Sequence, residues 1–307
     1  MSEATYILCP GQGAQVVGMG KDFYESFPVA KEIFDRANDV LGFDLARHCF
    51  EGPDDRLNQT DISQPAIYVT SVACFNAAKA AGKVNPEVVT AYAGLSLGEY
   101  TALHLGGAFT FEEGLKLVAA RGKFMQEAAV TTPSGMVAVM GADEVTIGDL
   151  CEKHAAGEVL VPANFNAPGQ VVVSGSKSAC QRLAAAAEVA GFKAIPLTVA
   201  GAFHSPIMQS GADKMAAELE RVAIKLPLKP VYSNVTAQLH TDPTSIRKLL
   251  VDQIVKPVRW EQTMQSLVTK GEARFVELAP GRVLTGLLKK INRRLPVDSL
   301  ASADALK

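Results

Sequence analysis

The sequence predicts an α/β protein built in two parts, and three observations carry that reading. Short apolar runs alternate with helical stretches along most of the chain, the rhythm of a mixed α/β class. The apolar run Val88–Ala93 leads straight into GLSLGEY at 94–100, a strand-to-helix turn with glycine on either side of a serine. Between residues 133 and 198 the order becomes β-α-β-β-α-β, the split pattern of a ferredoxin-like unit. A large domain over 1–132 and 199–307, interrupted by a small subdomain over 133–198, accommodates all three.

Taken in order, Tyr6–Cys9 reads as the first strand and PGQGAQ at 10–15 as a glycine-rich loop. Gln64-Pro65 is expected to open a helix running to Ala78, with proline at its tolerated first position. Val88–Ala93 is a strand, Leu97–Leu105 a helix stopped by Gly106-Gly107, and Phe111–Ala129 a longer helix. In the small part, Gly135–Met140 is a strand and Val145–His154 a helix. Val159–Asn164 and Gln170–Ser174 are strands joined by a turn containing Asn166, Pro168 and Gly169. Ala179–Ala190 is a helix and Lys193–Leu197 a strand. Pro230–Asn234 and Arg274–Leu278 are then expected as strands of the large part, and Gly281–Ile291 as a helix after a Pro-Gly turn.

Composition excludes several functions. A net charge of −2 gives no overall field to gather nucleic acid. No apolar run approaches the ~20 residues of a membrane span. The five cysteines, Cys9, Cys49, Cys74, Cys151 and Cys180, form no CxxC pair. A zinc site is therefore not expected, and free thiols in a reducing, cytoplasmic setting are. The first residues carry neither a basic stretch nor a long apolar one, so no leader peptide is read there. The PGQGAQVVGMGK loop fits neither GxGxxG nor GxxxxGK[ST].

Ser96 has two readings. Gly94 and Gly98 around it suit a nucleophile elbow of the α/β-hydrolase-like kind. Ser96-Leu97-Gly98-Glu99 also fits the S-x-x-E capping box. A nucleophile needs a base, and there are five histidines. His104, eight residues along the same helix, would stand about 12 Å away. His48 and His154 sit among charged residues, and His240 lies in the polar, turn-like QLHTDP. His204, in AGAFHSP, is the best candidate. Arg121 shares a helix face with Leu117, Val118 and Met125, so it points to the core. A buried arginine requires a partner, either a protein carboxylate or a ligand anion.

Together these residues resemble the malonyl-CoA:acyl carrier protein transacylase family. The likeness runs over nearly the whole chain: PGQGAQ, Gln64-Pro65, GLSLGEY, Ala120-Arg121-Gly122, NFNAPGQVVVSG at 164–175, GAFHSP at 201–206, Gln253 to Trp260, and APGRVLTGL at 279–287. No synthase or carrier segment is attached, which resembles the stand-alone enzyme. The resemblance implies Ser96 as nucleophile, His204 as its base, and Gln253 orienting that base through its backbone carbonyl. It implies backbone N–H groups of Gln12 and Leu97 as an oxyanion hole and Arg121 as partner of the malonyl carboxylate. Phe203 would exclude an α-methyl group, and Gln64 and Asn164 would line the site. The implied partners are malonyl-CoA and an acidic carrier protein bearing phosphopantetheine, with no metal or cofactor, no nucleic acid and no membrane; a monomer is expected. The departure is Leu95, where many members have histidine, and it is read as packing or tuning. The basic run Lys289, Lys290, Arg293 and Arg294 reads equally as a carrier landing surface or a solvated helix end. A serine esterase, with a carboxylate such as Asp143 completing a triad, and a non-catalytic homologue are the rival readings.

Overall fold

The computed structural model describes residues 4–307; the first three residues of the predicted 1–132 span lie outside them. Two sheets organise the chain. The first has the order β2-β1-β7-β8, from Val89–Gly94, Ala4–Cys9, Ala273–Leu278 and Val297–Leu300. Its pairings are all parallel. Its central strands are nearly continuous apolar runs, as expected for strands covered on both faces. Ile7, Leu8, Phe275 and Val276 are fully buried.

The second sheet has the order β4-β5-β3-β6, from Leu160–Ala167, Gln170–Ser176, Ser134–Met140 and Lys193–Pro196. All its pairings are antiparallel. Helices Glu144–Ala155 and Lys177–Val189 cover one face. Val137, Val139, Ile147, Phe165, Val171 and Leu183 form their own buried cluster there. The predicted β-α-β-β-α-β order is the observed order.

Several expectations are corrected. Gln64-Pro65 does not open its helix: the helix spans Thr60–Ala80, with Pro65 inside it. Proline there removes one N–H in the second turn, and burial of nearly every residue from Thr60 to Ala78 outweighs that loss. Pro230–Asn234 is not a strand. Val231 makes an isolated parallel bridge with Tyr92 and Tyr232 an antiparallel one with Leu239. The chain turns away because Ser233 pairs with Gln238 and Ala237 across a tight bend. The turn between β4 and β5 is shorter than expected, since β4 continues through Asn166 to Ala167. Sequence reading also passed over the helices Lys21–Ser26, Pro28–Leu41, Leu45–Glu51 and Asp54–Leu57, three more at Gln209–Glu220, Pro243–Val255 and Trp260–Val268, and strand β8.

Candidate active site

The elbow is built from close backbone contacts. Ser96 has φ of 53°, in the left-handed region that L-residues avoid. A Cβ on Gly94 would fall 1.9 Å from the Gly98 carbonyl, and one on Gly98 would fall 2.1 Å from the Cys9 carbonyl oxygen. Only glycine fits either place. The capping-box reading is thereby corrected. The helix Gly98–Leu105 has Leu97 as its N-cap, with no side-chain cap bond. The Ser96 hydroxyl instead lies 2.9 Å from His204 Nε2.

His204 also has a positive φ, 57°. Its loop is held by the small sheet: Ser134 Oγ accepts from the Ala202 N–H, and Ser174 Oγ donates to the Phe203 carbonyl. His204 Nδ1 is 2.6 Å from the Gln253 carbonyl oxygen. A carbonyl only accepts, so Nδ1 carries the proton and Nε2 presents its lone pair to the serine. Burial and the neighbouring Arg121 charge lower the imidazole pKa to about 4, with the Gln253 bond opposing them. The ring is therefore neutral at pH 7, as a base must be.

Arg121 is 1% exposed. It donates to Gln64 Oε1 at 2.7 Å, Gln253 Oε1 at 2.9 Å and Ser96 Oγ at 3.1 Å. Its carbon Cζ lies 5.5 Å from the Tyr100 ring centroid. Among the described residues no carboxylate pairs with it, and its Nε has no acceptor. Burial pushes its pKa down from the ordinary value. Gly122 permits this placement, since a Cβ there would stand 2.6 Å from the Thr60 carbonyl oxygen. The two helices approach closely enough for Gln64 to reach the guanidinium.

A cavity of ≈ 320 Å³ opens between the sheets. Ser96, His204, Arg121, Phe203, Asn164, Leu95 and Gln12 are on its wall. Gln64 is fully buried and meets the site through Arg121, behind that wall. Leu95 belongs to an apolar cluster with Tyr6, Ala93 and Leu284. The Gln12 and Leu97 backbone N–H groups have no protein acceptor among the described residues, whereas the Ser96 N–H is taken by Asn234 Oδ1 at 2.6 Å.

Sequence reading missed Asn234, whose Nδ2 also donates to the Gly94 carbonyl at 2.7 Å. It took Glu99 for a helix-start residue and His240 for part of a polar turn. Both side chains are fully buried and joined, with Glu99 Oε1 2.8 Å from His240 Nε2. The signal for Glu99 was its place one turn past an elbow serine; nothing local marks Asn234 or His240. Among the described residues no cluster of potential metal ligands occurs, and no helix is long and apolar enough to cross a membrane. The five cysteines are free and buried.

The acyl transferase domain family matches residues 5–306. The malonyl CoA-acyl carrier protein transacylase of Escherichia coli O157:H7 is 41% identical over 307 residues, covering 100% of this chain and 98% of that protein. The Bacillus subtilis (strain 168) transacylase is 38% identical over 309 residues, covering 100% and 96%. The solved transacylase of Coxiella burnetii has a TM-score of 0.95 at 36% identity, covering 99% of this chain and 96% of that one. A malonyl-transacylase solved in complex with its type II PKS acyl-carrier protein has a TM-score of 0.94 at 38% identity, covering 99% and 98%. With an elbow serine, a neutral histidine and a buried arginine converging on one cavity, the chain belongs to the acyl transferase family, among the malonyl CoA-acyl carrier protein transacylases.

Proposed function

We propose that this protein moves a malonyl group from malonyl-CoA to the phosphopantetheine thiol of an acidic acyl carrier protein, in fatty acid biosynthesis. The observation that carries the proposal is Arg121: a buried guanidinium, unpaired with any described carboxylate, 3.1 Å from the candidate nucleophile. A substrate carboxylate supplies the missing anion, and a planar fork suits bidentate recognition.

In the first half-reaction Ser96 Oγ attacks the thioester carbonyl while its proton passes to His204 Nε2. The backbone N–H groups of Gln12 and Leu97 receive the oxyanion. The C–S bond breaks, and the CoA thiolate takes the proton from His204. The carrier thiol then repeats the sequence in reverse on the malonyl-serine ester. Both halves are thioester–ester exchanges, so neither consumes a metal, redox or other cofactor. The Gln253 carbonyl orients His204 in the role an acid fills in a triad. Phe203 narrows the space beside the malonyl α-carbon, Asn164 lines the site, and Gln64 steadies Arg121.

We also read the large part, 1–132 and 199–307, as α/β-hydrolase-like, on the strength of the parallel sheet and the strand–elbow–helix unit. The antiparallel 133–198 unit is read as ferredoxin-like. A reducing, cytoplasmic setting fits the five free buried thiols, and we read the chain as a monomer.

Intact-protein mass spectrometry after brief exposure to malonyl-CoA tests the central step. Wild type gains one malonyl group and Ser96→Ala gains none. An adduct that survives the substitution would mean the nucleophile lies elsewhere.

A further inference from the structure

Behind the elbow lies a buried polar circuit through Gln253 whose further members, Asn234, Glu99 and His240, take no part in the proton transfers proposed above. Two side chains grip the nucleophile's backbone. Asn234 accepts from the Ser96 N–H and donates to the Gly94 carbonyl. Gln253 Nε2 donates to the Ser96 carbonyl at 2.9 Å, while its Oε1 receives Arg121 and its own carbonyl receives His204. One atom ties these two grips together. Glu99 Oε2 accepts from the Asn234 backbone N–H at 3.0 Å and from Gln253 Nε2 at 2.6 Å. Its other oxygen meets His240 Nε2. Glu99 and Gln253 are 0% exposed, Asn234 1% and His240 7%.

We propose that Glu99, fixed by His240, is a positioning residue for acyl transfer: its carboxylate locks Asn234 and Gln253 onto the Ser96 elbow. This rests on the Ser96–His204 reading and deepens it. A carboxylate only accepts, so all three of its contacts must be donors. His240 Nε2 therefore carries a hydrogen, and its Nδ1 has no partner among the described residues. Ser96 at φ 53° is held in the left-handed region that L-residues avoid, a conformation that persists only where its surroundings over-determine it. Asn234 and Gln253 supply that constraint from opposite sides of the Ser96 peptide units, and Glu99 is their common acceptor. Loosening it lets the hydroxyl drift from His204 Nε2 and from the oxyanion donors while Arg121 keeps its hold on Gln64.

Kinetics of enzyme acylation by malonyl-CoA test this. Glu99→Gln keeps an acceptor oxygen for Asn234 and Gln253 but loses the charge. Its amide N–H is accepted by His240 Nε2 only in the tautomer that carries the hydrogen on Nδ1, a buried atom with no partner among the described residues. The kcat for acylation then falls by about 10²-fold, with KM within roughly twofold, because Arg121 still holds the carboxylate. The double variant Glu99→Gln/His240→Gln presents a carbonyl oxygen to that amide, closes the circuit again and recovers at least about tenfold of the loss. A Glu99→Gln enzyme with unchanged kcat, or a folded double variant no faster than the single one, would overturn the proposal. Should neither position-99 variant fold, His240→Leu decides it. That variant takes away the donor to Oε1 and lowers kcat about fivefold or more with KM held; full kcat in a folded His240→Leu protein defeats the idea. Loss of the Ser96 adduct assignment would fail separately, in the mass-spectrometric experiment, with every residue of the circuit intact.

Discussion

Arg121 and His204 show how single side chains acquire chemistry from burial. An acetyl thioester has no anion for the guanidinium, so in its complex Arg121 stays desolvated without a counter-charge. We expect Arg121→Ala to lower the malonyl-to-acetyl ratio of kcat/KM by roughly 10²-fold, and an unchanged ratio would remove Arg121 from the specificity role. His204 yields a pH prediction. Its folded-state pKa lies near 4 against an ordinary 6.5, so the unfolded chain binds the proton first as pH falls. The neutral ring's contribution is fully present above about pH 6.5 and is lost as pH drops toward 4. Denaturant midpoints measured across that window should fall for wild type and fall less for His204→Gln; parallel slopes would show that His204 is not depressed. These residues were legible in the sequence because each breaks a local pattern: a serine between two glycines, an arginine on an apolar stripe, a histidine among small residues. Asn234 and His240 break none. Their burial arises from chain segments that meet only in the folded protein, and Glu99 was hidden by fitting the capping-box spacing.

Secondary-structure elements carry the site through close approach of backbone to backbone. Gly98 shows the tolerance: its missing Cβ would lie 2.1 Å from the Cys9 carbonyl oxygen, a backbone atom with no rotamer to yield. Gly98→Ala should therefore separate the elbow from β1, lowering Tm and abolishing malonyl-enzyme formation. Gly148, inside the helix Glu144–Ala155, has nothing within 4 Å of the same added atom. Gly148→Ala should instead stabilise by about 0.5–1 kcal/mol through helix propensity. Thermal melts of the pair, with acylation measured alongside, check both signs; equal effects would mean the contacts at Gly98 do not matter. Elements with strong periodicity or a glycine stop were read correctly to within a residue or two, as at Phe111–Thr131 and Ser134–Met140. The Pro230–Asn234 segment misled because β-prone residues can satisfy one edge of a strand for two hydrogen bonds and then turn. Pro28–Leu41 did carry a local signal, an apolar stripe of Ala30, Ile33, Phe34 and Ala37 between Pro28 and Gly42, and was passed over. The shorter helices Lys21–Ser26, Leu45–Glu51 and Asp54–Leu57 owe their form to packing on the Thr60–Ala80 helix, a contact no local window contains.

At the scale of the whole molecule, the site exists because two sheets are fastened across one cavity. The seam is visible at Val258, fully buried, whose N–H donates to the Ala163 carbonyl at 2.8 Å and whose carbonyl receives the Phe165 N–H at 2.9 Å. It joins β4, which places Asn164 on the cavity wall, to the segment that follows Gln253. The two-part architecture could be read from changes in rhythm along the chain, but this seam pairs residues far apart in sequence and leaves no periodic trace. We expect its consequence to be control of water. The wall over the serine is largely apolar, with Met136, Val172, Val199 and Phe203 among its residues, and a malonyl ester must outlast water until a thiol arrives. Val258→Pro removes one donor of the seam while leaving Ser96, His204 and Arg121 unchanged. We expect the malonyl-enzyme of this variant to lose its acyl group to water faster, relative to a pantetheine thiol, by about threefold or more. Single-turnover decay of the purified acyl-enzyme, with and without thiol, measures that partition. A lower Tm with an unchanged partition would show that the seam serves stability alone and that the water barrier is built by the wall residues independently of how the two sheets are joined.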